Sequence, residues 1–330
     1  MLYGLLRLSR AFVVTAAPLL WCALSASGQT TLSPDTAAGL YAQNAPIEQA
    51  RLFDRPAGTE AGGITSDGSA LPDTGASTSD DDSFGAQQIL KSQERVREFV
   101  VSGDAAVFYT SNVALTRHGT IADSFLVANA GLSWNHAIDQ QLQLQIGARG
   151  SLFRYNDTSV LDFENLGAGV GLSWVPSSCG GISFFGRYDF SELLDTHSRQ
   201  ILSDHEFSLG AQKVFFFGRA HALTVGTIAS AGISDPFSAQ RDSVIAFAGY
   251  TMALTRQLDA ELLYRISGNF YNGGGRDDLN QIGSLGAHYH LNRWAELNAL
   301  VSFGTNRSTH DVFSYDVFTA GGGVGFTMRF

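Results

Sequence analysis

"GGGVGFTMRF", Gly321–Phe330, closes the chain. Counting back by twos from Phe330 meets Met328, Phe326, Val324, Gly322, Ala320 and Phe318. The other parity holds Arg329, Thr327, Gly325, Gly323, Gly321 and Thr319. Side chains alternate across a strand, so this pattern is a strand with one apolar face that runs to the final residue. Chain ends ordinarily fray. A greasy terminal strand is therefore expected to pair with another strand, near "VVSGDAAVFYT" (Val100–Thr110), because lipid tolerates no open sheet edge.

The same period of two recurs upstream. "QLQLQIGARG" (Gln141–Gly150) sets Leu142, Leu144, Ile146 and Ala148 against Gln141, Gln143, Gln145 and Arg149. "QLDAELLYRIS" (Gln257–Ser267) and "WAELNALVSF" (Trp294–Phe303) divide in the same way. A strand with one greasy and one wet face suits lipid on one side and water on the other. Twelve such segments follow one another between residues 98 and 330, most of them as long as the roughly 9–11 residues a transmembrane strand needs.

The connections alternate in character. Longer polar stretches such as "ALTRHGTIA", "RYNDTSVL", "SELLDTHSRQ", "AGISDPFSAQRD", "NFYNGGGRDDLN" and "GTNRSTHDVF" take turns with tight ones such as "HAID", "TRQ" and "LNR". Bacterial outer-membrane barrels show this asymmetry, with short periplasmic turns and longer outer loops. An even strand count puts both barrel ends in the periplasm. Trp134, Trp174, Tyr250 and Trp294 lie beside the tight turns, while Tyr109, Phe153, Tyr155, Tyr188, Phe190 and Phe270 lie towards the long loops. This spacing predicts two aromatic belts at headgroup level. The fold class expected is all-β: a transmembrane antiparallel up-and-down β-barrel of about twelve strands.

Residues 1–28 read as a signal peptide, with Arg7 and Arg10 ahead of the apolar "AFVVTAAPLLWCAL" (Ala11–Leu24) and the small residues of "SASGQ" at the cleavage site. Its removal leaves Cys179 as the single cysteine, so no intramolecular disulfide is expected. Residues 29–95 are acidic and rich in Gly, Ser and Asp; they read as a disordered periplasmic segment with a short helix near Phe84–Phe99. The barrel itself is assigned to residues 96–330. With 36 Gly, 23 Phe and only two Lys (Lys91 and Lys213), the composition suits a barrel in lipid. The formal charge of −10 falls to −12 once Arg7 and Arg10 are removed, which argues against a nucleic-acid partner.

"FYTSNVAL" (Phe108–Leu115), with "SFLVANAGLSW", "LQIGARGSLFRYND" and "LGAGVGLSW" (Leu166–Trp174), resembles the β-barrel porins of Gram-negative outer membranes. The likeness covers roughly residues 98–175. It implies a pore-type protein of the cell outer membrane, with relatives associated with exopolysaccharide systems, and supplies no site residues.

Function in a barrel resides in its lumen. Parity points Arg149, Arg187, Asp189, Glu206, Glu261 and Arg265 inward. The three arginines would form a basic wall facing Asp189 and Glu206, a transverse field that orients polar or anionic solutes. The alternative is that these charges pair and fill a narrow interior. "GAGVG" (Gly167–Gly171) lies inside a strand and reads as small lumen-facing residues rather than a nucleotide loop.

No Gly-x-Ser-x-Gly elbow, His-Glu-x-x-His motif or P-loop is present, so neither an enzyme nor a cofactor is expected. Ser308 with His310, and His205 beside Asp204, are the nearest approach to a rim hydrolase and read as ordinary loop residues. Phe330, Met328 and Phe326 match the terminal signal read by the barrel-assembly machinery. The expected partners are outer-membrane lipids, that machinery and polysaccharide-export components. The expected function is a channel or export pore for small polar or oligosaccharide solutes, with a non-conducting structural or adhesive barrel as the alternative.

Overall fold

The computed structural model describes residues 98–218 and 220–330; the assigned signal peptide and the 29–95 segment lie outside them. Twelve strands follow in order: β1 (Phe99–Thr110), β2 (Asp123–Ala137), β3 (Leu142–Tyr155), β4 (Phe163–Trp174), β5 (Ile182–Asp195) and β6 (Gln200–Phe217), then β7 (His221–Asp235), β8 (Arg241–Ala253), β9 (Leu258–Tyr271), β10 (Asp277–His290), β11 (Ala295–Ser308) and β12 (Tyr315–Arg329). Each pairs antiparallel with its sequence neighbours, and β12 pairs with β1 to close the barrel. The expected seam is present: Val101 lies opposite Met328, and Val107 opposite Gly322.

The wall is strongly tilted. Following paired residues from Val100 through Ser133, Gly147, Gly169, Asp189 and Glu206 leads to Gly232. That path climbs from the start of β1 to near the far end of β7. We call the end where β1 begins and β12 finishes the inner end, and the opposite end the outer end.

The register sorts every strand into two faces. Leu142, Leu144 and Ile146 share the outward face with Leu132, Trp134 and Leu172, and with Phe326 and Met328 on β12. Phe99, Trp134, Trp174, Phe184, Tyr250 and Phe326 form an outward aromatic belt near the inner end. The ring pairs Phe99–Trp134 and Trp174–Phe184 reinforce it.

Two expectations need correction. Four of the stretches read as long outer loops begin as strand: β5 runs to Asp195, β7 to Asp235, β9 to Tyr271 and β11 to Ser308. The outward face turns polar there, with cross-strand ion pairs such as Arg154–Glu164 (2.5 Å) and Arg307–Asp316 (2.8 Å). Loss of apolar alternation therefore marks the level where the wall leaves lipid, not the end of pairing. Second, Phe153 and Tyr155 do not belong to an outer aromatic belt. They point into the barrel, 1% and 5% exposed.

Candidate functional site: a lumen closed at its outer end

Inside the outer half lies an apolar core of the kind found in soluble proteins. Phe108, Phe125, Phe153, Tyr155 and Phe163 point inward from β1 to β4, joined by Leu193, Leu202 and, from β12, Tyr315 and Val317. Ring centroids of Phe153 and Phe163 are 4.3 Å apart, and those of Phe125 and Tyr155 are 5.1 Å apart. The segment after β1 folds onto this core: Val113 is fully buried and Leu115 nearly so.

Asn112 latches that segment. Its Nδ2 donates to the carbonyls of Thr116 (2.8 Å) and Asp316 (3.0 Å), and its Oδ1 accepts from the Thr116 amide (3.2 Å). Arg117 on the same loop pairs with Asp311 in the loop before β12. A polar layer continues the closure on the other side of the lumen. Arg276 lies between the rings of Tyr271 and Phe313, at 4.0 and 3.6 Å from its guanidinium carbon, and its Nε donates to the buried Asp278 at 3.0 Å. Asn306 donates to Asp278 and to the Phe313 carbonyl.

The inner half is built differently. Gly131, Gly147, Gly167, Gly169 and Gly171 occupy inward positions and line a cavity of about 200 Å³ together with Asp104, Asn129, Arg149, Arg187 and Asp189. β4 is the floor that seats the charges. A Cβ at Gly167 would lie 3.0 Å from Arg149 Nε, and one at Gly169 2.6 Å from Asp189 Oδ1. Bare backbone here lets long charged side chains from β3 and β5 lie across the intervening strand.

All six charges expected to line the lumen share the inward parity of the register. They do not form a basic wall facing an acidic one. Arg187 pairs with Asp189 on its own strand (2.8 Å), and Asp189 stands directly opposite Glu206. The period of two that turns both residues inward also places them within reach of each other, so the charges interleave. Glu206 interacts electrostatically with Arg241, and Arg241 also bonds Tyr271. Arg265 is buried between Phe247 and Ile282, with Asn280 Oδ1 at 3.4 Å. Glu261 lies near the inner mouth, 3.9 Å from His288, where His290 also meets Asp259 (2.9 Å) and Glu296 (3.5 Å).

Sequence reasoning missed Arg241, Asn112 and the apolar core. The core had a visible signal: Phe108, Phe125, Phe153, Phe163 and Leu193 are large apolar residues on the parity assigned to water. Of the rim candidates, Asp204 points inward and His205 outward, so the two do not meet. Ser308 Oγ accepts from the His310 amide as a turn cap. Phe326, Met328 and Phe330 stand exposed at the inner end of β12. Among the described residues no group of three or more His, Cys, Asp and Glu is arranged to hold a metal.

No protein-family model matches the chain, and no curated protein matches it by sequence. Among solved structures it is similar to an outer membrane channel from Pseudomonas putida F1, with a TM-score of 0.52 and 9% identity over 70% of this chain and 96% of that one. It also matches an anion-selective porin from Comamonas acidovorans (TM-score 0.38, 9% identity, 70% and 98% covered) and the β domain of the Bordetella autotransporter BrkA (0.40, 9%, 69% and 99%). The likeness to the Pseudomonas channel is one of fold: a porin-like outer-membrane β-barrel.

Proposed function

We propose that this protein is a gated outer-membrane channel for small polar or oligosaccharide solutes. The reading rests on one contrast. The inner lumen is lined by glycines and balanced charges, as a polar solute requires, whereas the outer lumen is closed by an apolar core held by a latched loop. Withdrawing Val113 and Leu115 from that core costs about 1.5–3 kcal/mol per side chain. The closed state then dominates, and conduction needs a stimulus that lifts the loop. Solute enters the periplasmic vestibule, where Arg149, Arg187 and Asp189 offer both donors and acceptors.

The outer core also favours a second reading, a non-conducting structural or adhesive barrel. Liposome swelling separates the two: proteoliposomes carrying the mature protein should admit small neutral sugars slowly, and at higher rates once the core is weakened. Zero uptake under both conditions leaves only the second reading. Within either, the partners are outer-membrane lipids and the assembly machinery that reads Phe330. Polysaccharide-export components belong to the first reading alone.

A further inference from the structure

The lipid-facing surface of β4 to β7 is not smooth. A groove of about 680 Å³ crosses it, lined by Leu172, Gly186, Tyr188, Leu209, Ala229 and Ala231 among others. Gly186 is its floor; a Cβ there would sit 3.1 Å from Leu209 Cδ2. The alanines of β7 keep the far side low, while Tyr188, Phe207 and Leu209 form the walls.

The groove ends at a polar pair facing lipid. His205 shares the outward face with Phe207, two residues along β6, and stands directly opposite Phe190 on β5. Its Nδ1 and the Tyr188 hydroxyl lie 2.8 Å apart, and its ring is 5.0 Å from that of Phe190. Among the described residues Nε2 has no partner. Beyond it, Glu192 and Ser203 face each other across β5 and β6, where the outward surface turns polar. An imidazole on a lipid-facing wall is unfavourable unless a polar group of the surroundings meets it.

We propose that this groove binds one outer-leaflet acyl lipid, with a chain along Gly186 and a phosphorylated headgroup hydrogen-bonded to His205 Nε2. The order of surfaces along the barrel axis favours a lipid over a second barrel. Apolar floor, then imidazole and phenol, then carboxylate and hydroxyl reproduce the sequence of chain, headgroup edge and water. Farther along the same outward face Glu164, paired with Arg154, stands opposite Leu194, two residues beyond Glu192, so the charged belt lies on the outer side of the imidazole. A bond from imidazole to phosphate is of the charge-assisted kind, worth about 1.5–3 kcal/mol, or about tenfold or more in affinity.

The test is native mass spectrometry of the delipidated full-length protein, loaded with phosphatidylglycerol or with a diacylglycerol of the same chains. One phosphatidylglycerol should be retained per barrel, with the diacylglycerol held about tenfold less well. His205→Ala should bring phosphatidylglycerol down to the diacylglycerol level, and Gly186→Val should weaken both. A heat-dependent gel shift verifies that each variant is a folded barrel, and His205→Phe, which also lacks a donor, serves if the alanine variant is not. Equal retention of both lipids by wild type and variants overturns the proposal. So does a barrel dimer that forms in place of the lipid adduct and is lost in Gly186→Val.

Discussion

Phe330 and Phe99 exchange two main-chain hydrogen bonds, 2.9 Å from the Phe330 amide to the Phe99 carbonyl and 3.3 Å in return. The barrel is thus sewn to its last residue, and the terminal strand has no free end to fray. Deleting Phe330 removes both bonds, each worth about 0.5–1.5 kcal/mol net, together with the outward ring. The expected result is a lower yield of heat-shifting, folded barrel in outer-membrane fractions. Unchanged insertion would contradict the assembly role proposed for this residue.

Closure also depends on Gly323. A Cβ there would lie 2.2 Å from the Ala105 carbonyl oxygen and 2.5 Å from the Ala106 Cβ. Backbone cannot yield as a flexible side chain can, so Gly323→Val should separate β12 from β1 and prevent the folded gel band. Gly283→Val is the control, because nothing lies within 4 Å of its built Cβ.

The Asn112 latch joins the loop after β1 to β12. Asn112→Ala removes two donated bonds and one accepted bond and leaves the Thr116 amide and the Asp316 carbonyl without their partner. A loss of about 1–3 kcal/mol follows. Trypsin should then cut after Arg117 several-fold faster than in wild type, while the gel shift of the barrel is kept.

At the inner rim, Glu98 accepts from the Trp134 indole at 2.8 Å and lies 2.9 Å from His136 Nδ1. The Trp134 bond first, and His136 next, hold its carboxyl below the ordinary value of 4.5. A carboxylate lowered in the folded state stabilises the fold above its unfolded pKa and loses that contribution as pH falls through the folded value. Wild type should therefore hold a constant margin of thermal stability over Glu98→Gln above pH ~5 and lose that margin in more acidic buffer. An equal margin at every pH would contradict this.

The wall was legible because lipid imposes a strict rule on one face. Outward residues such as Leu142, Leu144 and Ile146 must be apolar wherever they meet hydrocarbon. Where the wall leaves lipid, around Arg154 and Glu164, that rule lapses and strand looks like loop; the last three to five residues of β5, β7, β9 and β11 read as loop for this reason. The lumen obeys no comparable rule. Phe153 and Phe163 occupy the wet parity because a folded loop covers them, a relationship spread over β1, β2, β3, β4 and β12. The inward direction of Arg187 and Asp189 was legible from parity. Their pairing with each other depends on rotamers that a bare β4 floor permits.

The most direct test of a channel closed by an apolar outer core is single-channel recording in planar bilayers. The mature wild-type protein is compared with a Val113→Ser, Leu115→Ser double variant. Exposing two hydroxyls to the core cancels much of the roughly 3–6 kcal/mol that holds the loop down. The account predicts rare, brief openings in wild type and openings of the same unit conductance, at least tenfold more frequent, in the variant. Silence in both proteins, with the barrels verified as folded and inserted, would contradict it.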